Sequence, residues 1–146
     1  VKIGSTTGYN DEMMRVVVPA AEAAGYRPDC WFSSDSTGGI GRPYPYMVFR
    51  ALEKLGVSSV RAAVKVGDTA ADIREGRNAG LVTVGLIEGS SLMGLSQAEY
   101  EALPEDVRQR EISRVRRAYA DCGADHVLLN LSGLPALLDE LRYTAR

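Results

Sequence analysis

The chain has 146 residues and 15.8 kDa, enough for one compact domain and too little for two ordinary ones. Hydrophobic residues make up 45% and charged residues 25%, which excludes disordered and fibrous classes and points to folding by burial of apolar surface. Lys+Arg 17 against Asp+Glu 19 leaves a formal charge of -2, so no broad basic surface is offered to nucleic acid or to an anionic membrane, and neither is an expected partner.

Strand and helix signals alternate along the whole length. Val1 to Ser5 reads as a short strand. Asn10 is a helix cap, with Asp11 and Glu12 in the first turn at the positive end of the dipole. That helix is expected to run to Ala24 and stop at Gly25, with a kink or early break at Pro19, which lacks the N–H a helix interior needs. Cys30-Trp31-Phe32 is the next strand, with Trp31 expected in the core. The turn-rich segment Ser33 to Pro45 follows, crowded with glycine, proline and serine. Pro45 begins a helix whose apolar spacing runs through Met47, Phe49 and Leu52 or Leu55 and closes at Gly56.

Ala62 to Val66 is a buried strand. After Gly67 and Asp68 a helix runs through Ile73 to Asn78 and ends near Gly80, and Val82 to Ile87 is another strand. One helical stretch is expected from Ser96, where Ser96 and Glu99 have capping-box spacing, through Pro104 to about Ala120. Its Arg108, Arg110, Arg114, Arg116 and Arg117 alternate with acids and apolar residues, as on a solvated helix face. His126 to Leu129 forms a last strand, His126 being structural, and Leu134 to Leu141 a last helix capped by Ser132. The rhythm predicts an α/β three-layer sandwich on a mainly parallel, Rossmann-like sheet, whose ligands bind beyond the carboxyl ends of the strands.

No run approaches the roughly 20 apolar residues of a membrane span and no secretory leader is visible, so a cytoplasmic location is expected. Cys30 and Cys122 stand far apart, outside any CxxC or Cys/His cluster, and both are expected to be reduced and buried.

Three segments at strand ends carry chemistry. Gly4-Ser5-Thr6-Thr7-Gly8-Tyr9 sets small and hydroxylic residues just before a helix. Its hydroxyls and unpaired N–H groups suit phosphate oxygens, with Thr6, Thr7 and Gly8 as candidate binders, and equally suit a plain capped turn. In Gly41-Arg42-Pro43-Tyr44-Pro45, two prolines stiffen the backbone around one cation. The fixed donor fork of Arg42 matches a phosphoryl group, though a surface arginine in a proline turn reads the same way. In Val66-Gly67-Asp68-Thr69-Ala70-Ala71-Asp72, two acids four residues apart near a helix start are either capping residues or a hard-oxygen site for Mg²⁺. Hydroxyl, cation and paired acids on successive strands together describe phosphoryl chemistry around Mg²⁺, with Arg42 and Asp72 as catalytic candidates and Asp68 as the metal ligand.

These segments, with Glu75-Gly76-Arg77-Asn78-Ala79-Gly80 and Gly89-Ser90-Ser91, resemble the phosphonoacetaldehyde hydrolase (phosphonatase) family of the haloacid dehalogenase superfamily over essentially the whole chain. The superfamily's second motif is a strand-end Ser or Thr, its third a Lys or Arg, its fourth a Gly-Asp-x-x-x-Asp type. The resemblance implies that Thr7 contacts the phosphoryl group beside Arg42, that Asp68 binds Mg²⁺, and that Asp72 orients the metal shell. It implies cleavage of the C–P bond of a small phosphonate, phosphonoacetaldehyde, to acetaldehyde and phosphate. The route runs through a Schiff base on a cap-domain lysine and an aspartyl phosphate.

That family's aspartate nucleophile lies on an N-terminal strand followed by the helical cap with its lysine, and neither is in this sequence. The lysines are Lys2, Lys54 and Lys65; Lys65 matches a family lysine next to the metal-binding acid and neither of the others aligns with the cap position, so none inherits the Schiff-base role. Residues 1–146 are therefore expected to be the C-terminal portion of a core domain, opening at Val1 as the tail of a longer polypeptide and inactive alone. The parent is expected to be a homodimer. The family's absent strand runs between the one starting at Val1 and the one ending at Val66, so two sheet edges here would be unpaired. Two other readings stay open: a generic superfamily phosphatase acting on an ester, and a non-catalytic phosphate-binding domain.

Overall fold

The computed structural model describes residues 1–144. Five parallel strands alternate with helices. β1 (Gly4–Thr6) leads through α1 (Asp11–Ala23) to β2 (Cys30–Phe32), and α2 (Tyr46–Leu55) leads on to β3 (Val64–Gly67). α3 (Ala70–Ala79), β4 (Val82–Leu86), α4 (Gln97–Glu101), α5 (Glu105–Asp121), β5 (His126–Leu128) and α6 (Leu134–Thr144) complete the chain. The α/β class with a parallel sheet is as the sequence predicts.

The strands do not form one ladder. β1 pairs with β2, Gly4 opposite Cys30. β4 lies between β3 and β5, with Lys65 opposite Thr83 and Gly85 opposite Val127. β1 and β3 share no backbone ladder, so a seam separates the two sheets where the sequence reading leaves two unpaired edges. Across the seam, α2 packs on β1, β2 and α3, and Val48, Ala79 and Leu81 make a small apolar cluster there.

The larger core lies over the three-stranded sheet, where Ile73, Ile87, Met93, Val115 and Tyr119 are buried together. The Tyr119 ring lies flat on β4: a Cβ built on Gly85 would stand 2.7 Å from its Cγ, so only glycine admits the ring at that depth. Cys30 is buried and Cys122 half-buried, both free. Trp31, expected in the core, is half-buried on the short β2.

Several expected boundaries change for local physical reasons. α1 runs unbroken through Pro19 to Ala23. Pro19 is exposed, so water can take the carbonyl its missing N–H leaves unpaired. The stretch from Ser96 is two helices rather than one. α4 has the expected Ser96–Glu99 capping box and ends at Ala102, and α5 starts after Pro104, which sits at ψ 144; the residue before a proline avoids the helical region. Arg108 closes this break, donating to the carbonyls of Glu101 and Leu103 at 3.1 Å, so it is more than a solvated-face residue. Ser132 does not cap the last helix. Asn130 accepts from the Ser132 N–H and hydroxyl, capping a 3-10 turn (Leu131–Gly133) that runs into α6. Among the described residues no helix is long and apolar enough to cross a membrane.

Candidate functional site

Three loops meet at the carboxyl ends of β1 and β3. The first follows β1. Its backbone continues the ladder by one bond, Thr7 N to Phe32 O at 3.2 Å, then turns on the Thr7 hydroxyl, which accepts the Tyr9 N–H at 3.1 Å. Asn10 caps α1 through the Met13 N–H at 2.9 Å. The Asp11 carboxylate accepts the Ser33 hydroxyl at 2.5 Å, which ties the start of α1 to the loop after β2.

The second loop carries Arg42. The Arg42–Pro43 peptide is cis, and Asn78 on α3 donates to the Pro43 carbonyl at 2.8 Å, which pins the loop to the acid-bearing side. The Arg42 guanidinium reaches across the seam to Asp72 Oδ1 at 2.8 Å. Its other terminal nitrogen lies against Gly8, 2.5 Å from where a Cβ would be. A side chain at position 8 would therefore occupy the guanidinium's place.

The third loop follows β3. Thr69 caps α3 in a reciprocal capping box with Asp72. Oδ2 of Asp72 accepts both the Thr69 N–H at 3.2 Å and its hydroxyl at 2.6 Å. A Cβ on Gly67 would stand 2.2 Å from the Asp72 Cβ, so the glycine is what lets this carboxylate fold back under the strand end. Oδ1 accepts Arg42 and also Lys65 Nζ at 3.0 Å. All four lone-pair positions are in use. Burial works to raise the Asp72 carboxyl, but the Lys65 ammonium, the Thr69 hydroxyl and the Arg42 guanidinium overcome it and hold the group below the usual carboxylate range.

Asp68 differs from Asp72. It is exposed at the tip of β3, and its backbone carbonyl is held by the Ser91 N–H at 3.2 Å and hydroxyl at 3.1 Å. Its carboxylate has no hydrogen bond or ion pair among the described residues. Beneath it, the Tyr119 hydroxyl donates to the Leu86 carbonyl at 2.8 Å. Burial pushes that phenol up to about 12, opposed by a hydrogen bond with Ser90 and reinforced by the charges of Asp68 and Asp72.

The structure thus brings Gly8, Arg42 and Asp72 into contact, with Thr7 beside Gly8, and sets Asp68 one helical turn before Asp72 without contact to that group. Thr6 faces inward: its hydroxyl donates to Glu75 Oε2 at 2.7 Å and accepts Lys65 Nζ at 2.7 Å. No three His, Cys, Asp or Glu side chains cluster as a metal cage among the described residues. Mg²⁺ keeps several waters and takes one or two carboxylates plus substrate phosphate. The single unengaged carboxylate of Asp68 fits that demand, and the fully engaged Asp72 fits a role of holding Arg42.

Glu75 is the member sequence reasoning missed, and Lys65, read there only as a lysine beside the metal-binding acid, is its partner. Glu75 is 0% exposed and pairs with Lys65 at 2.8 Å. The signal was present, because a lysine between two valines in a buried strand needs a counter-ion.

A model of haloacid dehalogenase-like hydrolases matches residues 1–80. A phosphonoacetaldehyde hydrolase of Lysinibacillus sphaericus is 44% identical over 141 residues, covering 97% of this chain and 52% of that protein. Another from Bacteroides fragilis is 45% identical over 138 residues, covering 94% and 52%. The crystal structure of a phosphonoacetaldehyde hydrolase like protein from Oleispira antarctica superposes with a TM-score of 0.89 at 29% identity, covering 97% of this chain and 51% of that one. The chain spans about half the length of these relatives. Its parallel α/β architecture and the match over residues 1–80 agree: the chain belongs to the haloacid dehalogenase-like hydrolases.

Proposed function

We propose that residues 1–146 form the phosphate- and Mg²⁺-binding half of a phosphonoacetaldehyde hydrolase. The observation that carries this is the lodging of Arg42. Its guanidinium is fixed between Gly8 and Asp72 with one donor used on the carboxylate, which leaves the rest of the fork for a phosphoryl group. The Thr7 hydroxyl, held in place as an acceptor, has its own O–H to donate to the same group. Thr6 acts one step behind, between Lys65 and Glu75. Asp68 would hold Mg²⁺, which supplies charge neutralisation on the phosphoryl oxygens when bound. The identity to phosphonoacetaldehyde hydrolases over nearly the whole chain supports the substrate.

In this reading a strand from outside residues 1–146 fills the seam between β1 and β3 and brings the aspartate nucleophile to the rim, while the Schiff-base lysine comes from the same outside half. Lys65 is not placed to serve that role. All three N–H donors of Lys65 are taken, by Thr6, Asp72 and Glu75, which leaves the amine engaged away from the rim. Lys2 Nζ donates to the Leu55 carbonyl at 2.7 Å. The full-length protein then acts on a small phosphonate as a cytoplasmic homodimer, and residues 1–146 alone are inactive.

Borohydride trapping with phosphonoacetaldehyde on the full-length protein tests the assignment. A covalent lysine adduct outside Lys2, Lys54 and Lys65 is the expected result. Release of phosphate from phosphate esters with no adduct would replace the reading with a phosphatase. Phosphate binding with no turnover of either substrate class would replace it with a binding domain.

A further inference from the structure

We propose that Ser91 is a positioning residue for the metal site: it fixes the backbone of Asp68 so that the unengaged carboxylate there points to where Mg²⁺ is taken up. The inference rests on the phosphate and Mg²⁺ reading above and adds to it the group that aims the metal ligand.

Asp68 follows Gly67, which ends β3 and pairs with Gly85 in the last step of the ladder. The strand's own hydrogen bonds stop there, so the backbone groups of Asp68 must find other partners. They do, on both edges of one peptide. The Asp68 carbonyl accepts the Ser91 N–H at 3.2 Å and the Ser91 hydroxyl at 3.1 Å. The N–H of the same peptide unit, that of Thr69, donates to Asp72 Oδ2 at 3.2 Å. A peptide is planar, so clamping its oxygen and its nitrogen sets the backbone torsion at the Cα that carries the Asp68 side chain. One residue fills both lone-pair positions of that carbonyl, while the carboxylate has no hydrogen bond or ion pair among the described residues.

The loop that carries Ser91 is itself held firmly. It continues the ladder of β4 with β5, Ile87 N to Leu128 O at 3.1 Å and Glu88 N to Leu129 O at 2.8 Å, and Glu88 accepts the Asn130 side chain at 2.7 Å. Ser90 is buried, and its hydroxyl accepts the Met93 N–H at 3.0 Å. Ile87 and Met93, on either side, are buried in the larger core. Ser91 is exposed, and deleting an exposed hydroxyl costs a fold little, so what its contact with Asp68 fixes is a direction. The contact lies on the β4 side of β3, away from the seam, and a strand that fills the seam leaves it in place.

The test uses the full-length protein with Mg²⁺ as the probe. Calorimetric Mg²⁺ affinity is measured under saturating inorganic phosphate in the wild type and in Ser91→Ala, Ser91→Thr and Asp68→Asn. Ser91→Ala keeps the N–H and deletes the hydroxyl. It should bind Mg²⁺ about 3- to 10-fold more weakly, the value of one neutral hydrogen bond, with the unfolding midpoint and the phosphate affinity without Mg²⁺ unchanged. Ser91→Thr, which keeps the hydroxyl, should bind Mg²⁺ as the wild type does. In the metal-free protein Ser91→Ala should speed hydrogen exchange at the Thr69 amide and not at the Ile87 amide. An unaltered Mg²⁺ affinity in Ser91→Ala, an equal loss in Ser91→Thr, or a matching loss of phosphate affinity without Mg²⁺ would overturn the positioning role and leave Asp68 as the ligand. No Mg²⁺ binding in the wild type, or binding that Asp68→Asn does not weaken, is a different failure: it removes the ligand assignment, and the positioning role with it.

Discussion

Replacing Lys65 by Met is the most informative single perturbation of stability. The substitution keeps most of the side-chain volume and deletes the ammonium. Asp72 retains Arg42 and both Thr69 donors, so its loss is modest. Glu75 fares worse, because it is fully buried, has one oxygen already unpartnered, and keeps only the Thr6 hydroxyl. Leaving an uncompensated buried charge costs about 3–5 kcal/mol, a large part of the ~5–15 kcal/mol that holds a domain folded. Removing the carboxylate as well, in Lys65→Met with Glu75→Leu, leaves only the Thr6 hydroxyl unsatisfied at about 1–3 kcal/mol. Urea unfolding of the full-length protein should show the double variant more stable than Lys65→Met alone, with a coupling of about 2 kcal/mol or more. Additive losses would mean that Lys65 and Glu75 do not depend on each other and that the buried pairing is wrong.

Gly8→Ala should leave the unfolding midpoint nearly unchanged, since the Cβ meets only the end of the Arg42 side chain. It should weaken phosphate binding about 10- to 100-fold, the value of a charge-assisted hydrogen bond, as calorimetry would read. Gly85→Ala does the reverse: its Cβ would meet the buried Tyr119 ring at 2.7–2.9 Å, and overpacking should cost about 1–3 kcal/mol in urea unfolding. The Asp72 carboxyl lies below the ordinary range in the folded state, so the fold favours its ionised form. The associated stability should be intact above the unfolded value of about 4 and be lost as pH falls below it, through the folded value. Unfolding at pH 5 and pH 3 should show a smaller acid loss in Asp72→Asn than in the wild type.

The rhythm of elements was legible because its punctuation is local. Gly56 and Gly80 end α2 and α3 in the left-handed conformation, Asn10 caps α1 through its own side chain, and Gly67 closes β3. The strand-end segments carrying Thr7, Arg42 and Asp68 were legible as unusual residue types in loops. What stayed hidden depends on partners far away in sequence. Asp72 has the spacing both of a metal acid and of a capping-box acid, and only the approach of Arg42 and Lys65 from other elements decides how its oxygens are used. Glu75 reads as an ordinary helix glutamate until Lys65, ten residues earlier on β3, lies beside it. The break at Pro104 was available locally, since the residue before a proline avoids the helical region, although the capping-box start at Ser96 was read as opening one helix through it.

Thr7, Gly8, Arg42 and Asp68 are proposed to serve one anion-and-cation site at the carboxyl ends of β1 and β3. Titrating inorganic phosphate and then Mg²⁺ into the isotopically labelled full-length protein, followed by NMR, tests it most directly. Phosphate should shift the Thr7 and Gly8 amides and the Arg42 side-chain resonances, and Mg²⁺ should then shift Asp68 and Thr69. Phosphate shifts confined to the shallow depression on α5 lined by Arg110, Arg114 and Arg117, with none at Gly8 or Arg42, would contradict it.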